Sequence, residues 1–227
     1  MAENSGETPD ALLLVGSGCP HCATLLQTLG ELVKRGEIAH LEVINVTRRP
    51  EVAMAHGVRS VPWLRLGPFE LQGLLSAEEL RQWLARAGTR EGMTAYFSEL
   101  LLSGRLDQAI ALLRRDPAQF AALLEPLADA DSELQVRIGI GAVLEDFAGD
   151  PALAAQLPRL CELSRHADPR IRLDACHYLG LSSAPEAADC LRARLEDDDA
   201  EVREEAGEML AALMTGDISG ADAETPD

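Results

Sequence analysis

Cys19-Pro20-His21-Cys22 sets two thiols within one helical turn of each other, directly after Gly16-Ser17-Gly18. That spacing serves two chemistries. A thiolate can attack a disulfide while its neighbour resolves the mixed disulfide, or the pair can supply half of a thiolate metal site. No second close pair of ligands is evident, so dithiol–disulfide exchange is favoured and no metal is assigned. The elements on either side suit it. Ala11-Leu12-Leu13-Leu14-Val15 reads as a buried strand, and apolar residues recur at helical spacing from Ala23 to Val33. Cys19 then sits where the helix's unsatisfied N–H groups and positive dipole end favour a thiolate. Pro20 fits the first helical turn, where its missing N–H would have had no partner.

The totals bound what surrounds this unit. The chain has 227 residues, 47% of them hydrophobic, enough for one large or two modest domains. Its net charge of -18 is uneven: residues 1–90 carry 9 Lys+Arg against 10 Asp+Glu, and residues 91–227 carry 11 against 28. The asymmetry points to two domains and argues against nucleic acid, which needs a basic footprint. It permits a basic protein partner, although a solvated acidic surface is the commoner meaning of such a bias. No run approaches the roughly 20 apolar residues of a membrane span. The polar, acidic start does not read as a signal peptide. The expected location is therefore cytoplasmic, where structural disulfides are rare, and all five cysteines are expected as thiols.

The first domain is expected over residues 10–89, after a disordered tail at 1–9. A second strand is expected from Ile38 to Val46, then a short helix from Arg49-Pro50 to Ala55. A strand from Val58 to Leu66 and a return strand from Phe69 to Gly73 form a hairpin about Gly67-Pro68. Ser76 and Glu79 make a capping box, and Leu80, Trp83, Leu84 and Ala87 give the closing helix one apolar face. His40 and His56 read as ordinary strand and helix-end residues, and Trp63 as either groove lining or packing.

This order, with Cys19-Pro20-His21-Cys22 followed by Gly57-Val58-Arg59-Ser60-Val61-Pro62, resembles the thioredoxin superfamily in a minimal, glutaredoxin-like form. The resemblance implies an α/β domain with a central four-stranded mixed sheet. It implies Cys19 as the attacking thiolate, Cys22 as the resolving thiol, and Pro20 and His21 as residues that tune the thiolate. Pro62 takes the place of the family's cis-proline. Val61, Pro62 and Trp63 would border an extended substrate peptide, paired by strand addition. Gly18 stands where thioredoxins carry tryptophan, and Leu13 where they carry a buried acid. Pro-His between the cysteines resembles the periplasmic oxidants and implies a more oxidising pair than thioredoxin's.

Beyond an expected linker at Arg86–Gly92, strand signals vanish and residues 93–215 read as all-α. Asp-Pro recurs at Asp116-Pro117, Asp150-Pro151 and Asp168-Pro169, each fitting an N-cap with proline at the first helical position. Asp168, Ile171, Arg172, Ala175 and Leu179 overlay Asp199, Val202, Arg203, Ala206 and Leu210, and Val136-Arg137 overlays Ile171-Arg172. This resembles HEAT-like repeats, stacked helix pairs that often hold another protein. Arg137, Arg172 and Arg203 are expected to brace the stack. Cys161, Cys176 and Cys190 are expected as small buried hydrophobes, and Glu196–Asp199 as a solvated turn. Residues 216–227 are expected as a disordered acidic tail.

The function expected from all this is thiol–disulfide oxidoreduction at Cys19/Cys22, without a cofactor, on a protein partner recruited by the helical repeats. The alternative is an adaptor in which the first domain is a binding module or a redox-sensing switch without turnover.

Overall fold

The computed structural model describes residues 8–215; the expected tails at 1–9 and 216–227 lie outside the described residues, apart from Thr8 and Pro9. The chain divides into two compact units, Met1–Tyr96 and Phe97–Asp227.

The first unit runs β1 Ala11–Val15, α1 Pro20–Lys34, β2 Leu41–Asn45, α2 Pro50–Ala55, β3 Trp63–Leu66, β4 Phe69–Gln72 and α3 Ala77–Arg86. Its sheet is mixed, in the order β2-β1-β3-β4. β1 pairs with β2 in parallel, Leu13 opposite Val43, and with β3 antiparallel, Leu13 opposite Leu64. Central placement explains why β1 reads as a continuous apolar run: Ala11 to Leu14 are all buried. Leu12, Leu14 and Trp63 form one face, packed against Val52, Val58 and Val61, which leaves Leu13 for the other.

Local signals set the ends of these elements. Gly36, at φ 73°, lets the N–H groups of Gly36 and Glu37 close back on Val33 and Leu32 at 2.9 Å each, which stops α1 where the sequence placed its stop. Ser76 and Glu79 form the reciprocal capping box of α3. β3 is shorter than expected: it starts at Trp63, because Pro62 brings no N–H to the ladder. β4 is an edge strand, and the Tyr96 hydroxyl both accepts from the Glu70 N–H at 2.8 Å and donates to the Glu70 carbonyl at 3.1 Å. Phe69, Trp83 and Tyr96 meet ring to ring at 4.9 to 5.6 Å around this lock. The linker is shorter than expected too. The Thr89 hydroxyl accepts from the Gly92 N–H at 3.0 Å, which draws residues 90–92 into the next helix.

That helix is α4 Arg90–Leu102, followed by α5 Leu106–Arg115, α6 Phe120–Leu123, α7 Leu134–Asp146, α8 Pro151–Ala154, α9 Leu157–Leu163, α10 Pro169–Leu181, α11 Ala187–Arg192 and α12 Ala200–Thr215. Asp116, Asp150 and Asp168 each accept from the N–H two residues on, as the Asp-Pro motif predicts. The segment that Asp116-Pro117 opens is α6 between two 3₁₀ turns, with Pro126 in the second. Pro158 likewise divides α8 from α9.

The arginines repeat one arrangement. Arg172 donates to the carbonyls of His166 and Ala167, and Arg203 donates to those of Asp197 and Asp198, the equivalent places ahead of its own helix. Arg137 bonds Asp174 at 2.6 Å. α10 and α12 pack so closely that a Cβ on Gly180 would come within 2.8 Å of Met209 Cβ. Gly180→Ala should therefore destabilise the helical unit by about 1–2 kcal/mol, overpacking outweighing alanine's better helix propensity. Urea unfolding followed by helical circular dichroism reads this, and a stabilised variant would mean that Met209 yields.

Candidate functional site

β1 ends at Val15, and the turn Gly16-Ser17-Gly18 carries the chain to α1. Gly18 adopts φ 76°, a left-handed conformation that favours glycine over the tryptophan of thioredoxins. Cys19 is the N-cap of α1: its Sγ accepts from the Cys22 N–H at 3.2 Å. Pro20 opens the 15-residue helix. Cys19 is half-buried, whereas Cys22 is 3% exposed, so the two sulfurs differ in what can reach them. They are joined as a disulfide, with Cα atoms 5.3 Å apart. His21 is exposed in the first turn.

An open, mainly apolar groove of about 430 Å³ borders the pair, lined among others by Val15, Gly16, Ser17, Pro20, Leu26 and Asn45. Its floor is held by bonds that the sequence reading did not anticipate. Asn45 Nδ2 donates to Ser17 Oγ at 3.2 Å, the Ser17 N–H donates to Thr47 Oγ1 at 3.0 Å, and the Thr47 N–H donates to Asn45 Oδ1 at 3.0 Å. The end of β2 thereby clamps the turn that presents Cys19. Polar Asn45 and Thr47 flanking an apolar strand were the available signal.

The second expected part of the site comes from the approach to β3. The Val61–Pro62 peptide is cis. The register that sets Leu14 opposite Trp63 brings Val61 level with Gly16 when carried two residues further, and a Cβ on Gly16 would lie 3.0 Å from Val61 Cγ2. Val61 is half-buried and packs against the Leu12, Leu14 and Trp63 cluster. Pro62 is buried. Of the two readings of Trp63, groove lining or packing, its side chain takes the second: it is 1% exposed, packs with Leu12 and Leu14, and lies 5.3 Å from the His56 ring. Its place in β3 opposite Leu14 turns the indole into the core.

Two corrections fall in the helical unit. Cys161 and Cys190 are not small buried hydrophobes: they form a disulfide between α9 and α11, Cα atoms 5.7 Å apart, within bonding reach. They are 29 residues apart in sequence, and only the stacking of successive repeats brings them together. Cys176 is wholly buried as expected, and burial pushes its thiol up to about 12, with Glu205 adding to the effect. Within the expected solvated turn, the Asp197 side chain is 2% exposed and bonded to Arg172. Among the described residues no cluster of His, Cys, Asp and Glu could hold a metal ion, and no helix is long and apolar enough to cross a membrane.

Residues 11–85 match the family model for the thioredoxin domain, and residues 120–211 match that for HEAT repeats. Among curated proteins, none matches the chain. The protein is a fusion of a thioredoxin domain to HEAT repeats.

Proposed function

We propose that this protein is a cytoplasmic thiol–disulfide oxidoreductase. Its catalytic pair is Cys19 and Cys22, in a domain spanning 10–89, and the repeat domain over 93–215 holds the protein on which the pair acts. One observation carries the reading: Cys19, half-buried at the N-terminus of α1, faces the Cys22 N–H, with the second sulfur buried behind it. When the pair is reduced, that N–H and the helix dipole stabilise a Cys19 thiolate. The thiolate attacks a substrate disulfide, and one substrate sulfur leaves. The Cys22 thiolate then attacks Cys19 Sγ and frees the other. Two electrons pass to the substrate, and the Cys19–Cys22 bond closes. Pro20 and His21 adjust the thiolate from the first helical turn, and the backbone at Val61 and Pro62 aligns an extended substrate strand beside it.

The test is alkylation of the reduced chain as a function of pH. Cys19 should label well below the ordinary thiol value of about 8.5. Cys176 should stay unlabelled at pH 8 until the chain unfolds, because its thiol is buried and pushed up to about 12. Cys22→Ser should capture proteins from extract through Cys19. A Cys19 that titrates as a free thiol and captures nothing would end this reading.

A further inference from the structure

The second disulfide has no part in the reading above, yet its setting suits it to the same chemistry. Cys161 and Cys190 are both half-buried, so the bond is not sealed inside the core of the repeats. The remaining cysteine, Cys176, is wholly buried, so no third thiol of the unit competes in exchange. The helices joined, α9 and α11, have seven and six residues, too short to hold their structure alone. The bond therefore acts as a clasp between neighbouring repeats.

We propose that Cys161–Cys190 is a disulfide substrate of the Cys19/Cys22 pair, so that this protein opens the clasp of its own repeat unit. The proposal rests on the oxidoreductase reading. The Cys19 thiolate attacks one sulfur of Cys161–Cys190; that bond breaks, a mixed disulfide forms, and the other sulfur leaves as a thiolate. The Cys22 thiolate then attacks Cys19 Sγ and releases the second sulfur. Two electrons move from the first pair to the second, whose thiolates take up the two protons that the first pair gave up. No outside oxidant or reductant enters this step.

The experiment uses full chains. A Cys161→Ser/Cys190→Ser chain, reduced at Cys19/Cys22 and freed of reductant, is mixed without oxygen with an isotope-labelled, oxidised Cys19→Ser/Cys22→Ser chain. Thiols are counted by differential alkylation and mass spectrometry. Thiols at Cys161 and Cys190 should appear mole for mole with the Cys19–Cys22 disulfide, at least about a hundredfold faster than with dithiothreitol at equal concentration. In a separate chain, Cys22→Ser should yield a Cys19–Cys161 or Cys19–Cys190 adduct, from its own clasp or a second copy's. The same reduced donor is also given a small aromatic disulfide. A donor that reduces the aromatic disulfide but neither opens nor traps the clasp overturns this proposal and leaves the oxidoreductase reading standing. A donor that reduces neither overturns both. Free thiols at Cys161 and Cys190 in the air-oxidised chain also overturn the proposal.

Discussion

Cys19→Ser is expected to lower disulfide exchange by a factor on the order of a thousand or more, because a hydroxyl is barely ionised at neutral pH and the attacking anion is lost. Cys22→Ser should behave differently. Cys22 is 3% exposed, and the hydrogen bond that the first sulfur accepts from it comes from its backbone N–H, which serine retains. The first attack on a small aromatic disulfide should survive Cys22→Ser with its rate within about tenfold, while turnover stops at the mixed disulfide. Stopped-flow release of the aromatic thiol separates the two: Cys22→Ser should give a single burst of one equivalent, and Cys19→Ser no burst. The reverse pattern, a burst from Cys19→Ser and none from Cys22→Ser, would exchange the roles of the two residues. Thr47→Val, which removes the acceptor of the Ser17 N–H, keeps both sulfurs and should slow the burst without removing it.

Much of this site could be read from residue order because its determinants are local. Cys19 to Cys22 lie in one turn of helix, Pro20 marks the start of that helix, and the apolar run of β1 reports a strand buried on both faces. Gly36 and the Ser76–Glu79 box likewise act within a few residues of themselves. The features that escaped depend on what the fold brings together. Trp63 follows Pro62 whether it lines a groove or packs; only the β1–β3 register points it at Leu14. Asp197 sits in a run of four acids that looks solvated until Arg172, 25 residues earlier, reaches it from α10. Cys161 and Cys190 fit no short ligand or disulfide pattern, since their pairing is set by the offset between stacked repeats. The displacement by 31 residues that aligns Arg172 with Arg203 did carry over: both donate to the carbonyls six and five residues before them.

The Arg172–Asp197 pair should dominate the stability of the helical unit. The two side chains are 8% and 2% exposed, and the guanidinium meets the carboxylate in a two-pronged contact at 2.6 and 3.0 Å. Asp197 also accepts from Arg194 at 3.1 Å and from the Asp199 N–H at 3.1 Å, which ties the first turn of α10 to the entry of α12. Asp197→Ala leaves the buried guanidinium with only the exposed Asp198 carboxylate as counter-charge, and should cost about 3 kcal/mol of the unit's unfolding free energy in urea. Replacing both partners, Arg172→Met with Asp197→Leu, should recover most of that loss, because the larger part of it is the unpaired charge rather than the bond. A single Asp197→Ala variant within about 1 kcal/mol of the parent would show that water reaches Arg172 and that the pair is dispensable. Acid supplies an independent check. Burial alone would raise the Asp197 carboxyl, but the bonds from Arg172 and the Asp199 N–H outweigh it and hold the group below the usual carboxylate range. A carboxyl depressed on folding contributes stability above its unfolded value of about 3.9 and loses it as pH falls through its lower folded value. The helical unit should therefore weaken between about pH 5 and pH 2, and Asp197→Ala should flatten that part of the acid profile. If the variant loses stability at neutral pH yet keeps the parent's full acid slope, the carboxyl titrates alike in both states and its effect is packing rather than charge.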